Sequence, residues 1–392
     1  MTVPNRMKIV STVRCDDYSR EKVAKSVAEC IDLLGGLGKF VRKGDRILVK
    51  PNLLRASPIE KGVTTHPEIV FAISKLLQDH GCNVLIGDSP GGGTPYTERA
   101  LRKSYHAAGL DAVAKELGVE LNFSLEYKNI PSPNSRKIKR FNIITPALEA
   151  DAIVNVAKMK THLFTYITGA TKNTFGVIPS MEKATFHSRL KQPDDFAEML
   201  VDLNELIKPR LNILDAVMAM EGDGPNSGKM RKMGIIAGSD NYAALDVVES
   251  KLMSIDPKDV GVVKAAIKRK LLGDNFEDVK VVGEEIENLI AKDFKKPKTY
   301  IGPMPDQGML WRALASMAKS YAMIPVIKKK ECNGCKECYR ICPQSAIAMR
   351  KDRPHIDYGK CIRCYCCHET CPNDAISLDW KFTGKLMKRL VK

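Results

Sequence analysis

No stretch of this chain approaches the ~20 uninterrupted apolar residues that a membrane span needs, so no transmembrane helix is expected. Nor does Met1 to Ser11 carry an apolar core ahead of a small-residue cleavage site, as an export signal would, and the expected location is cytoplasmic. A complete G-x-G-x-x-G following a strand is missing, so a nicotinamide site is not indicated. The net charge is +16, yet no nucleic-acid recognition motif accompanies it. The basic runs, Lys328-Lys329-Lys330 and Lys385 to Lys392, are short, and nucleic acid is not an expected partner. Cysteine is scarce over the first 331 residues, where Cys15, Cys30 and Cys82 stand scattered, a distribution that argues against a disulfide framework.

The other nine of the twelve cysteines are crowded between Cys332 and Cys371. One run is Cys332, Cys335, Cys338 and Cys342 followed by Pro343; the next is Cys361, Cys364, Cys367 and Cys371 followed by Pro372. Every position repeats at an offset of 29 residues, as do Ala346/Ala375 and Ile347/Ile376, which marks an internal duplication. The C-x2-C-x2-C-x3-C-P spacing is that of bacterial two-cluster ferredoxins, in which three cysteines wrap one cubane and the fourth reaches its neighbour. By that rule one 4Fe-4S cluster takes Cys332, Cys335, Cys338 and Cys371, and the other takes Cys361, Cys364, Cys367 and Cys342. Zinc would take its ligands in pairs of C-x2-C, against the three-plus-one pattern present. Cys366 fits neither run and reads as a spare thiol. Glycine at 334 would let the backbone approach the sulfides, and Ile341, Ile347, Ile356, Ile362 and Ile376 would supply a dry shell that helps set the potential. Thiolates on two clusters would also offset part of the local charge, 15 Lys and Arg against 7 Asp and Glu over 328–392.

The chain has 392 residues, 44% hydrophobic and 28% charged, enough for one large and one small domain. From Lys8 to about Pro303, short β-rich runs alternate with amphipathic stretches, which predicts an α/β domain with a mainly parallel sheet and flanking helices. Expected strands are Lys8 to Val13, Arg46 to Lys50, Asn83 to Asp88, Ala152 to Val156, Leu211 to Leu214 and Gly234 to Ala237. Expected helices are Arg20 to Leu34, Pro67 to His80, Glu98 to Leu117, Asp194 to Lys208 and Tyr242 to Met253. The predicted organisation is an α/β domain over 1–303, an interdomain helix or linker over 304–327, a small α+β two-cluster ferredoxin-like domain over 328–379, and a basic tail over 380–392. The linker helix spans Met309 to Met323 and ends at Pro325.

Ligands in such sheets bind beyond the carboxyl ends of the strands. There the sequence places Lys50-Pro51-Asn52, then Asp88-Ser89-Pro90 with Gly91, Gly92 and Gly93, a turn suited to cradling an anion. After Val156 come Lys158, Lys160 and His162, on one face if the strand continues, then Lys172, Asn173, Gly176, Lys183 and His187. Lysines gathered at one mouth repel unless an anion or carboxylates such as Asp88, Asp215 and Glu221 neutralise them. An anionic substrate or a flavin-like cofactor is therefore expected, with Lys158, Lys160, His162, Lys172 and His187 as catalytic candidates. Lys50, Asn52, Asp88, Ser89, Gly91, Gly92, Asn173 and Glu221 are the binding candidates.

Together, Lys50-Pro51-Asn52, Gly87-Asp88-Ser89-Pro90-Gly91-Gly92, Lys158-x-Lys160-x-His162, Lys172-Asn173-x-x-Gly176 and Glu221-Gly222-x-Gly224-Pro225 resemble the domain-of-unknown-function 362 family. The likeness covers most of Lys8 to Ile286 and implies an iron-sulfur centre protein with a C-terminal two-cluster ferredoxin, without implying a reaction. Three readings follow: an iron-sulfur oxidoreductase feeding electrons into the cleft, a carrier whose large domain docks a partner enzyme, or a lysine and histidine acid-base enzyme with structural clusters. A fused carrier raises the local concentration of electron donor beside the cleft, which favours the first. The partner is then a redox protein or a small anionic substrate, and the sequence carries no sign of oligomeric state.

Overall fold

The computed structural model describes residues 7–91, 93–180, 182–300 and 323–379. In chain order the strands of the large domain are β1 (Lys8–Arg14), β2 (Arg46–Pro51), β3 (Asn83–Ile86), β4 (Glu120–Leu121), β5 (Tyr127–Pro131), β6 (Arg140–Ile144), β7 (Ala152–His162), β8 (Tyr166–Ile167), β9 (Leu211–Glu221), β10 (Lys229–Ser239) and β11 (Val279–Gly283). One sheet runs in the order β11-β1-β10-β9-β7-β2-β3-β4, with β8 folded back on the end of β7, and β5 pairs with β6 as a separate hairpin. Strands β9, β7, β2, β3 and β4 are mutually parallel. β10 returns antiparallel between β9 and β1 because the seven residues joining it to β9 are too few for a crossover.

The central strands alternate between two cores. Ile47 and Val49, Val84 and Ile86, and Val154 and Val156 face one; Leu48, Leu85 and Ile153 face the other. Strands buried on both sides are apolar throughout, as these are. Helices Arg20–Asp32, Pro67–Asp79, Glu98–Ala107 and Leu110–Leu117 cover the first face; Pro193–Ile207, Tyr242–Leu252 and Gly261–Lys268 cover the second. The single helix expected over Glu98 to Leu117 is two, broken where Gly109 adopts φ +72°. β7 and β9 run well past their expected ends at Val156 and Leu214, and β7 carries Lys158, Lys160 and His162 within the strand.

From β2 the chain passes to β3 and β4 on one side and later reaches β7 and β9 on the other. The strand order thus reverses between β2 and β7, where open α/β sheets form their crevice.

In the small domain β12 (Ile324–Ile327) pairs with β15 (Ile376–Asp379), and β13 (Ile347–Arg350) pairs with β14 (Arg353–Ile356). Pro325 therefore sits in a strand of a two-stranded sheet, where a proline is tolerated, instead of ending a helix, and this domain begins ahead of the expected Lys328. The remainder of the predicted linker helix and the basic tail fall outside the described residues. The duplication is structural as well: helices Glu337–Ile341 and Cys366–Thr370 occupy equivalent places, and left-handed residues recur at Gly334/Arg363, Lys336/Tyr365 and Ser345/Asp374.

Candidate functional site

Two cavities in the small domain are each lined by four cysteines. One takes Cys332, Cys335, Cys338 and Cys371, the other Cys342, Cys361, Cys364 and Cys367. These are the two interleaved sets that the spacing predicts. The backbone N–H of Ala346 donates to Cys342 Sγ, and that of Ala375 to Cys371 Sγ, each at 3.2 Å, so both fourth cysteines have a donor suited to thiolate charge. Burial and neighbouring thiols push Cys338 up to about 11 and Cys367 well above the usual thiol value, a crowding that cations between the sulfurs would relieve. The donor set, the enclosed space and the apolar walls (Ile327 and Ile376 in one, Ile347, Ile356 and Ile362 in the other) fit two 4Fe-4S cubanes. Ile341 does not belong to either wall. A Cβ at Gly334 would come within 2.8 Å of Asp352 O, so the close approach of that carbonyl also calls for glycine there, while the matching Arg363 holds the same left-handed backbone.

The lysines at the crevice are buried, each with its own partner. Lys50 Nζ lies 2.8 Å from Asp88 Oδ1 and donates to Pro51 O, while Asp88 Oδ2 accepts from Leu53 N. Gly176 presses on this pair: a Cβ would collide with Asp88 Oδ1 and come within 2.5 Å of Lys50 Nζ. Lys158 Nζ donates to Asp215 Oδ2 (2.9 Å) and Tyr18 Oη (2.7 Å); Asp215 also accepts from Tyr18 Oη (2.8 Å) and His66 N (3.0 Å). The Tyr18 and His66 rings stack 3.6 Å apart. Among the described residues Lys160 has no carboxylate in ion-pair contact. Its Nζ donates to Asn52 Oδ1 and Val63 O, both at 2.7 Å, and burial with nearby Lys172 and Lys158 drives its pKa well below the usual lysine value. A neutral amine with two protons satisfies both bonds.

Beyond these, a cavity of about 50 Å³ lies between the domains. Lys172, Phe175, Lys183 and His187 wall it from the large domain, and Ile341, Cys366 and Glu369 from the small one. Among the described residues Lys172 has no hydrogen-bond partner. Burial lowers its pKa and Glu369 opposes that. Lys183 Nζ donates to Ser89 O and to Pro90 O, and burial lowers its pKa to about 7, with Asp88 opposing and Lys50 and Lys172 reinforcing. His187 stacks on Phe196 at 4.4 Å, and burial then Lys172 hold it down at about 3. His162 Nδ1 accepts from Phe164 N (3.0 Å) and Thr165 N (3.3 Å), so the ring proton sits on Nε2, 3.2 Å from Glu369 Oε1. Burial and the lysines keep His162 neutral too.

The fold brings Lys50, Asn52, Asp88, Lys158, Lys160, His162, Lys172, Asn173 and His187 to the reversal of strand order and the cavity beyond it. Asn173 Nδ2 donates to Asn155 Oδ1 and supports the floor of the crevice. Ser89 contributes its carbonyl, its hydroxyl making no hydrogen bond among the described residues. Gly91 lies against Leu54, Gly92 is outside the described residues, and Gly93 packs against Thr370 and Ile341; Gly91 and Gly93 also line the cavity between the domains. Glu221 does not join the group. Its carboxylate accepts from Lys295 N and lies 3.8 Å from Arg231 and from Lys295 Nζ.

Sequence reasoning missed Glu369, hidden in a run read for its cysteines. The duplication held a signal: Cys366, His368 and Glu369 match Glu337, Tyr339 and Arg340 of the first repeat, and the second set is buried where the first is largely exposed. Asn226 Nδ2 and Ser227 Oγ donate to Asp374 Oδ1 (3.2 and 2.6 Å) and Arg55 donates to Thr370 O, fastening this helix to the crevice.

Residues 47–251 match the domain of unknown function (DUF362), and residues 324–372 match a 4Fe-4S dicluster domain. The chain is 31% identical over 317 residues to the thylakoid-associated protein sll1697 of Synechocystis sp. (strain ATCC 27184 / PCC 6803 / Kazusa), across 80% of this chain and 95% of that protein. Among solved structures, the lactate racemase apoprotein from Thermoanaerobacterium thermosaccharolyticum aligns with a TM-score of 0.39 and 15% identity, over 65% of this chain and 59% of that one. That last likeness is too slight to carry a functional argument. With its duplicated cysteine runs folded around two cavities, the chain belongs to the DUF362 family and is an iron-sulfur protein with a C-terminal 4Fe-4S dicluster domain.

Proposed function

We propose that this protein is an iron-sulfur oxidoreductase that reduces a small anion held in the cavity between its domains. The observation that carries this reading is local. Ile341 and Cys366, which wall the cavity opposite Lys172, immediately precede Cys342 and Cys367, two cysteines of the same set. We assign Cys332, Cys335, Cys338 and Cys371 to one cluster and Cys342, Cys361, Cys364 and Cys367 to the other. Such clusters, when bound, supply electrons one at a time. A two-electron reduction of the bound anion draws both electrons in succession from a reduced carrier protein.

The chain's own groups do the rest. Lys172, with no hydrogen-bond partner among the described residues, neutralises the anion and the negative charge that grows on it, in a small cavity walled by both domains. His162 offers its Nε2 proton as a hydrogen-bond donor. Burial and nearby cations lower the pKa of His162 and His187 and disfavour their charged forms. Lys183, titrating near neutrality, is the better proton source. Lys50, Lys158 and Lys160, tied to the chain around them, hold the crevice in shape. About 50 Å³ of space admits a few heavy atoms, whereas organic ligands of drug size occupy roughly 300 to 1,000 Å³, so a flavin-like cofactor gives way to a compact anion.

The test uses anaerobically prepared protein, reduced and then mixed with a panel of small oxyanions and carboxylates while cluster absorbance is followed. At least one anion should reoxidise the wild type, and Lys172→Ala should slow that reaction on the order of 10²-fold with iron content unchanged. Equal rates in the two proteins would remove the role of Lys172. No reoxidation by any anion, with clusters intact, would favour the carrier role instead.

A further inference from the structure

We propose that the basic face around the Cys332–Lys336 loop is the docking surface for an acidic electron-carrier protein, which delivers electrons to the cluster wrapped by that loop. This rests on the electron-transfer reading above and adds the chemistry of its partner.

Three exposed segments form the face: Lys328-Lys329-Lys330, Lys336, and the turn Arg350-Lys351-Asp352-Arg353 between β13 and β14. They are held together around the loop. Arg353 donates to Cys332 O and to Lys329 O (3.4 Å), Lys336 Nζ lies 3.6 Å from Asp352, and Asp352 O rests against Gly334. Seven cationic side chains meet two acidic ones here, Glu331 and Asp352. Lys329, Lys330 and Lys351 have no carboxylate partner among the described residues.

A charge run is ordinarily just a solvated surface, but the duplication supplies an internal control. At the offset of 29, Lys328, Lys329, Lys330 and Lys336 are matched by Asp357, Tyr358, Gly359 and Tyr365. The loop that wraps cysteines in the same fold therefore has no need of these four lysines; its counterpart carries only Lys360 and Arg363, beside Asp357, and the denser charge lies on the repeat whose loop is exposed at Asn333 and Lys336. The other repeat turns its helix, Cys366–Thr370, inward to the cavity. One repeat faces solvent with a strong positive field, and the other faces the proposed substrate.

Such a field steers an oppositely charged partner and raises its encounter rate. A protein fits this face better than a lipid surface. Among the described residues, none of the exposed large apolar side chains, Met7, Leu33, Leu125, Tyr127, Tyr339 and Tyr358, falls within the three segments, so the segments themselves offer no apolar side chain of that size to a bilayer. In the exchange one electron leaves the reduced carrier for the cluster held by Cys332, Cys335, Cys338 and Cys371; the carrier is oxidised by one electron, and no atom is transferred.

The experiment compares full-length, iron-loaded wild type with the triple variant Lys329→Glu/Lys330→Glu/Lys351→Glu by stopped flow. Reduced flavodoxin, an acidic protein, serves as one donor, and photoreduced deazariboflavin, a small uncharged molecule, as the other. The variant should react with flavodoxin on the order of tenfold or more slowly at low salt, its rate should lose most of its salt dependence, and deazariboflavin should reduce both proteins alike. Equal flavodoxin rates would overturn the docking surface. So would charge-dependent sedimentation with phosphatidylserine vesicles combined with equal flavodoxin rates, which would make the face a membrane contact. Failure of deazariboflavin to reduce either protein would sink the electron-transfer reading itself.

Discussion

Lys183 lies beside Ser89 and Pro90 with its ammonium facing the cavity, and its pKa near 7 comes from burial, opposed by Asp88 and reinforced by Lys50 and Lys172. His187, one helical turn on, is neutral at that pH. If Lys183 supplies the proton, only its charged form is active, and that form is lost as pH rises through about 7. Anion-driven reoxidation should therefore fall across neutrality in the alkaline direction, and Lys183→Met should be slow with that limb gone. A wild-type rate that climbs with pH would remove Lys183 from the role. In the sequence Lys183 was one lysine near the end of a series; only the shared cavity sets it apart. Glu369 was less legible still. It meets His162 across more than 200 residues of chain, and no local periodicity records a contact of that kind.

Elements were easier to read than their ends. The apolar runs of β2, β3 and β7 gave away a sheet buried on both faces, and placing Lys50, Lys158 and Lys172 at its carboxyl edge followed from fold rules. What escaped was fixed by pairing: the reach of β7 and β9, the antiparallel sense of β10, and the Pro325 strand. Gly176 shows how tightly the crevice is built. It follows the short helix Gly169–Asn173 and touches the Lys50–Asp88 pair, so Gly176→Ala would force two fully buried opposite charges apart. Splitting a buried pair costs about 3 to 5 kcal/mol, and part of that should appear as lost stability in denaturant unfolding of the iron-loaded protein. A change of under about 0.5 kcal/mol, the scale of a neutral surface substitution, would mean the pair is not held against Gly176 as described.

At the scale of the whole molecule, the two domains share a wall. Gly93, which with Gly91 lines the cavity, packs against Ile341 and Thr370, and Asn226 and Ser227 donate to Asp374, so the rim of the crevice is also a socket for the small domain. The duplicated cysteine runs predicted the interleaved sets; they held no hint that the copies would be unequally sheltered. In the loop that wraps one set Asn333 and Lys336 stand in solvent, whereas their counterparts in the other, Ile362 and Tyr365, are half-buried and buried, although Cys371 of the first set is itself as sheltered as Cys367 of the second. Dioxygen and chelators thus have a shorter path to one centre than to the other. Brief aeration should strip iron in two stages, and iron analysis with electron paramagnetic resonance should find an intermediate with about half the metal and one kind of signal. Simultaneous loss from both centres would contradict this. A sample handled carelessly on the bench would then pass for a protein that had only ever held a single cluster.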